Sequence, residues 1–153
     1  MSDSVTSVIE PPVAARGSPM LTVVVPCYNE RPNVAPLIAR LDAALHGVAW
    51  EAVYVDDNSP DGTAAEVRRI AQTDPRVRCI RRIGRRGLSS AVIEGALSSS
   101  AQYVAVIDGD LQHDEALLPR MLRQRSSPAL PHIAFSRYWP VLPSHSSSAP
   151  ACS

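Results

Sequence analysis

The stretch YVAVIDGDLQHDE, residues 103–115, decides how this chain is read. Its first five residues are apolar throughout, the length and composition of a buried strand. The run ends abruptly in Asp108, Gly109 and Asp110. Two carboxylates leaving a buried strand repel each other unless a cation sits between them. Hard oxygen ligands with room for water suit Mg²⁺ or Mn²⁺, typically shared with substrate phosphates. Gly109 lets the backbone turn tightly and lets a diphosphate approach. Gln112 can add a neutral oxygen, with His113 as a neighbour. The alternative is a polar turn in which Asp114 caps the following helix. Asp114 can do that alone, which leaves Asp108 and Asp110 without a structural task.

Working outward, β and α signals alternate from Leu21 onward. Residues 21–25 are a short β-branched run that Pro26 stops. Val34, Leu37, Ile38, Leu41 and Leu45 follow at helical spacing, with Gly47 as an end signal. Residues 50–55 form a second strand, and a turn-rich stretch, 56–62, follows it. Ala64, Val67, Ile70 and Ala71 mark one face of a helix. Residues 77–80 are a third strand. Leu88, Val92, Ala96 and Leu97 define a helix opening after Gly87, and the last helix is expected from Glu115 to about Arg123. This alternation predicts an α/β fold, a mostly parallel sheet with helices on both faces. In such sheets ligands bind beyond the carboxyl ends of the strands. Four polar clusters fall there, at 28–30, 56–61, 83–87 and 108–112.

Each cluster has its own chemistry. An acid at the end of the second strand, Asp56 or Asp57, commonly accepts hydrogen bonds from a ribose or a base edge. Asp61 reads as a turn and cap residue. After Pro26, Tyr28 can lie against a nucleobase and Glu30 can bond to ribose or base, while Cys27 reads as a buried filler. Gly84-Arg85-Arg86-Gly87 combines backbone freedom with cations near a helix start, which suits a diphosphate. It is not a GxGxxG fingerprint, and no GxxxxGK[ST] loop or GxSxG elbow is present, which disfavours dinucleotide dehydrogenases, P-loop NTPases and serine hydrolases.

Bulk properties are those of one globular domain: 153 residues, 45% hydrophobic and 20% charged, with zero formal net charge. The neutral balance argues against a nucleic-acid partner. Cys27, Cys79 and Cys152 are odd in number and far apart, so neither a zinc site nor a disulfide framework is indicated and a reducing, cytoplasmic setting is expected. No signal peptide is apparent, and no apolar run approaches the roughly 20 residues of a membrane span. Residues 1–19 read as a flexible lead, 20–125 as the folded region, and 126–153 as an irregular tail rich in Ser and Pro.

Four segments together carry a pattern: VVVPCYNE (23–30), VYVDDNSPDGT (53–63), RRGLSSAVIEGA (85–96) and VIDGDLQHDE (106–115). They resemble family-two glycosyltransferases of GT-A fold, within them the dolichyl- and polyprenyl-phosphate mannosyl- and glucosyltransferases. The resemblance implies that this is the Rossmann-like, nucleotide-sugar-binding half of the fold. By position, Pro26, Tyr28 and Glu30 match donor-nucleotide contacts. Asp56 and Asp57 match the acids that meet base and ribose. Asp108 and Asp110 match the catalytic DXD pair that holds the metal, and Gln112 matches a further metal contact. With Arg85, Gly87 and Gly109 they make up the expected donor site. Family members move a sugar from a nucleoside-diphosphate sugar, usually GDP-mannose or UDP-glucose, with inversion. In the lipid subgroup the acceptor is a polyprenyl phosphate, which implies work at the cytoplasmic membrane face.

The pattern stops near Arg123. Ser136-Arg137-Tyr138 is similar to an SRY string of the family, but Phe135 stands where a Gly is usual. The abrupt change of composition leads us to expect a truncated or frame-shifted member with a non-native tail. No acidic residue follows Glu115. A hydroxyl acceptor would need a general base from later in the fold, so this favours a phosphate acceptor or a chain without its catalytic half. The competing readings are a nucleotide-sugar-binding fragment without turnover and a sugar nucleotidyltransferase. The latter usually opens with a Gly-rich loop after its first strand, which residues 26–30 are not.

Overall fold

In the computed structural model, which describes residues 18–123 and 132–135, strands and helices alternate as the periodicity predicts. The order is β1 (Leu21–Cys27), α1 (Arg31–Ala44), β2 (Trp50–Asp56), α2 (Thr63–Ala71), β3 (Val77–Arg81), α3 (Leu88–Leu97), β4 (Tyr103–Val106), α4 (Leu117–Arg123) and β5 (His132–Phe135). The sheet order is β3-β2-β1-β4-β5, and every neighbouring pair is parallel. A helix between successive strands supplies the crossover that parallel pairing requires.

The period of two along the strands splits the core. Val23 and Val25 of β1 and Ala52 and Tyr54 of β2 face α1, α2 and α4, where Leu37, Leu41, Val67 and Leu118 meet them. Val24, Val53, Val55 and Val106 point the other way, onto Ala91 and Val92 of α3. Gly95 lets α3 sit close to the sheet, since a Cβ there would lie 2.4 Å from a Val24 methyl.

Pro26 does not stop β1, as the sequence reading expected; it stops one of its two ladders. Val24 O accepts the Ile107 N–H at 3.1 Å. The next donor on that edge of β1 belongs to residue 26, and proline has no N–H. Pairing with β4 therefore ends at Val24↔Val106, whereas pairing with β2 continues to Cys27↔Asp56. Since β2 and β4 lie on opposite sides of β1, the chain reverses its direction of winding here. This is the switch point at which α/β sheets open a ligand crevice, and the missing N–H lies at its mouth.

Two further boundaries differ from expectation. α4 begins at Leu117, not Glu115, because Asp114 and Glu115 are used in the turn before it: Asp114 O accepts the Leu117 N–H and Glu115 O that of Leu118, both at 3.1 Å. β5 lies inside the stretch read as irregular; four residues are too few to carry a legible period, and parallel pairing to β4 defines them. Residues 1–17, the rest of the 126–153 tail and the Ser136-Arg137-Tyr138 string lie outside the described residues. Among the described residues no helix is long and apolar enough to cross a membrane.

Candidate functional site

The loop after β1 is held through its backbone by the loop after β2. Three successive N–H groups, of Asn29, Glu30 and Arg31, donate to Ser59 Oγ (2.9 Å), Thr63 Oγ1 (3.0 Å) and an Asp61 carboxylate oxygen (3.0 Å). The accepting hydroxyls are themselves fixed. Ser59 Oγ donates to Asp56, whose other oxygen accepts the Ser59 N–H at 3.1 Å. Thr63 Oγ1 donates to Asp61 at 2.6 Å. Each relay runs from acid to hydroxyl to amide, so the DNSPDGT string is a template for the conformation of the CYNE string. Asn29 and Asn58 adopt positive φ, 61° and 60°, a conformation that asparagine tolerates better than most residues.

This arrangement separates the two acids read as ribose or base partners. Asp56 is fully buried and turned onto Ser59. Asp57 accepts from Arg82 Nε at 2.6 Å and from the Gly87 N–H at 3.0 Å. Asp61 is the turn residue the sequence indicated. Partial desolvation pushes its carboxyl up, but the Thr63 hydroxyl and the N–H groups of Arg31 and Thr63 hold it below the usual carboxylate range. Cys27 is a filler as expected: burial, then the Asp56 charge, push its thiol far up, and its Sγ contacts Val55 O at 3.6 Å.

Arg82 was not among the expected site residues, yet it organises the third loop. Its residue exposure is 1%. Besides Asp57, its guanidinium donates to Ser90 Oγ at 2.7 Å and Gly87 O at 2.8 Å, and lies 3.5 Å from Glu94. Gly87 holds φ 137°, a backbone state reserved for glycine. The Arg85 side chain turns to Glu94, at 2.9 Å. Arg86 instead stacks over the Tyr28 ring at 4.4 Å and donates to its hydroxyl at 3.1 Å. Tyr28 remains 42% exposed, so its amphipathic ring stands at the mouth with a cation above it.

The acidic loop follows β4. Asp108 and Asp110 are both half-buried. Gly109 is buried between them, and a Cβ there would lie 3.3 Å from Glu30 Cγ and 3.7 Å from Cys27 Cβ. Close approach to the β1 loop is what glycine permits here. Gly109 was expected to let the backbone turn tightly; the positive φ of this loop falls on Leu111, at 62°. Glu30 accepts from Asn33 Nδ2 at 2.6 Å. Asp110 accepts the Gln112 N–H at 3.1 Å, and among the described residues no cation pairs with it. His113 Nε2 lies 3.6 Å from Asp108, an ion pair when the imidazole is protonated. Asp114 accepts the Ala116 N–H at 3.0 Å, in keeping with its expected capping role.

Among the described residues no group of three or more His, Cys, Asp or Glu side chains forms a ready cation cage. The donor set at this loop is thus two half-buried carboxylates and the exposed Gln112. Such an open, oxygen-only set fits a hard divalent ion that completes its shell with water and phosphate, and fits poorly a metal needing a full protein cage. The structure brings Pro26, Tyr28, Glu30, Asp57, Gly87, Asp108, Gly109 and Asp110 to one rim of the sheet. It turns Asp56 onto Ser59 of its own loop and Arg85 onto Glu94 of α3.

Known proteins are similar to this chain. The family model for glycosyl transferase family 2 matches residues 22–137. A dolichol-phosphate mannosyltransferase of Pyrococcus furiosus is 42% identical over 102 residues, covering 67% of this chain and 29% of its own length. The Saccharomyces cerevisiae protein of the same name is 35% identical over 130 residues, covering 78% of this chain and 49% of its own length. The chain thus spans half or less of the length of these relatives. Among solved structures, a mannosyltransferase from Pyrobaculum calidifontis in complex with GDP-Man and Mn²⁺ superposes with TM-score 0.62 at 28% identity, covering 74% of this chain and 34% of that one. These neighbours have the GT-A fold.

Proposed function

The chain belongs to glycosyl transferase family 2, and from that premise we propose that it binds a nucleoside-diphosphate sugar at the β1–β4 switch point for transfer to a polyprenyl phosphate. The observation that carries this reading is the packing of Gly109 against Glu30. It joins the acidic loop to the pre-set β1 loop where the β1–β4 ladder ends.

The residues divide the work. Tyr28, with Arg86 over its ring, offers an aromatic face to a base. Glu30 and Asp57 offer carboxylate acceptors to base and ribose hydroxyls. Arg82, Ser90 and Asp57 hold the Gly87 loop in shape, and Arg85 and Arg86 add positive charge beside it for a diphosphate. A Mg²⁺ or Mn²⁺ ion held by Asp108 and Asp110, with Gln112, would offset the negative charge that gathers on the leaving nucleoside diphosphate. An oxygen of the lipid phosphate attacks the anomeric carbon from the side opposite the departing diphosphate, so configuration inverts. That oxygen is already anionic, and no general base is required of this chain.

GDP-mannose is the first donor to test, UDP-glucose the second, since the named relatives are mannosyltransferases by name and one solved neighbour holds GDP-Man. The test is incubation with Mn²⁺, either donor and a short polyprenyl phosphate, followed by separation of glycolipid. The expected result is metal-dependent donor binding with glycolipid product. Binding without product reduces the function of this chain to holding the donor, and no binding of either donor rejects the reading.

A further inference from the structure

Leu111 sits between Asp110 and Gln112 with φ 62°. A side chain in this left-handed state costs roughly 1 kcal/mol or more and persists only where its surroundings impose it. Two contacts hold Leu111: its side chain packs against the core, and its carbonyl accepts at 3.1 Å from Arg40 Nη1, which reaches from the exposed side of α1, 71 residues away in sequence. The same nitrogen lies 3.8 Å from Glu115 Oε1. Glu115 is only 7% exposed, and its Oε1 has no hydrogen-bond partner among the described residues. A buried carboxylate without a hydrogen bond is costly, and Arg40 is the cation beside it. The guanidinium is thus held between a buried charge and the carbonyl at the centre of the acidic loop.

We propose that Arg40, anchored by Glu115, is a positioning residue that imposes the left-handed turn at Leu111 and thereby sets the direction of Asp110 and Gln112. The inference rests on the reading of that loop as the metal and diphosphate side. The link to Asp110 is direct: the Gln112 N–H that belongs to the 111–112 peptide donates to Asp110 Oδ1. Releasing the Leu111 carbonyl lets that peptide rotate, and the carboxylate loses the bond that fixes its rotamer. Arg40 itself need touch neither metal nor donor.

The test uses the full chain and the variants Arg40→Met, Arg40→Lys and Glu115→Gln. Amide hydrogen exchange of residues 111–113, without metal, reads the turn; Mn²⁺ titration by electron paramagnetic resonance with GDP present reads its consequence. Arg40→Met should speed exchange at 111–113 and weaken Mn²⁺ binding about tenfold, as is usual for residues that orient a metal ligand. Arg40→Lys keeps one donor for Leu111 O and should recover most of the affinity. Glu115→Gln should shift both readouts in the same direction by less, and it serves if Arg40→Met fails to fold. Unchanged exchange in Arg40→Met overturns the proposal whether or not metal binds. Faster exchange with wild-type Mn²⁺ affinity overturns the link to the site and leaves the proposed function standing. Faster exchange where even the wild type binds no Mn²⁺ supports the turn and rejects the metal reading of the loop.

Discussion

The loop after β1 and the loop after β4 meet where Glu30 packs on Gly109, yet they are held in different ways. Residues 29–31 are stitched by three consecutive backbone bonds to Ser59, Thr63 and Asp61, each acceptor fixed by a second bond or a buried acid. The acidic loop has Arg40 on one carbonyl, Gln112 donating to Asp110 and His113 beside Asp108. The difference suits the two halves of a nucleotide-sugar donor. A base and ribose keep one shape and are met best by a pre-organised surface. A diphosphate with its cation changes charge and position during transfer, and a carboxylate such as Asp110, which accepts from a neighbouring backbone N–H, can follow it.

If the nucleoside side is stitched, cutting its anchors should lower stability, whereas changes on the acidic side should lower ligand affinity. The largest effect is expected from Arg82→Met, since Arg82 fixes Asp57 on the nucleoside side as well as the Gly87 loop. It leaves Asp57 and Glu94 facing an apolar stem where a buried guanidinium stood, a loss of about 3–5 kcal/mol, read from the urea midpoint. Asp110→Asn should leave that midpoint nearly unmoved and weaken metal-dependent donor binding by roughly 100-fold, read by calorimetry with Mn²⁺ and GDP-mannose. Ser59→Ala removes the hydroxyl between Asp56 and the Asn29 N–H and should cost about 1–3 kcal/mol. A drop in affinity with no loss of stability for Ser59→Ala would erase the distinction between the two sides.

The smallest effect is a pH dependence. The Asp61 carboxyl is held below its ordinary range in the fold. Its contribution is complete above the unfolded value, near pH 4, and is lost as pH falls through the lower folded value. Thermal melts of wild type and Asp61→Asn should therefore differ at neutral pH and converge as pH falls below about 4. Curves that stay parallel down to pH 2 would assign the Asp61 bonds no role in stability.

The elements from β1 to α4 are legible because the strands are short apolar runs and the helices carry apolar stripes, and the crossover rules leave a parallel sheet little choice; β5 is too short to show either signal. The rim location of the candidate site follows from the same pattern. What stayed hidden was which way particular groups turn. Asp56 and Asp57 are adjacent acids in the sequence, but the strand alternation that carries Tyr54 into the core carries Asp56 with it. Arg82 stood among six clustered arginines with no local mark of its burial; its partners lie at 57, 87, 90 and 94. Ser59 and Thr63 read as turn residues because their acceptor role is toward a segment thirty residues away. Pro26 was read as a stop because its missing donor is visible in sequence, while the side of the strand it faces is not. Arg40 lies on the polar face of a helix, where nothing in the spacing distinguishes it from a solvated charge.

The direct measurement is the location of the cation. Crystals of the chain grown with Mn²⁺ and GDP, measured at a wavelength where manganese scatters anomalously, should give one strong peak within coordination distance of Asp108 and Asp110, with the diphosphate on its open side. A peak elsewhere in the chain, or GDP bound at the rim with no peak at the acidic loop, would contradict the assignment of these two carboxylates.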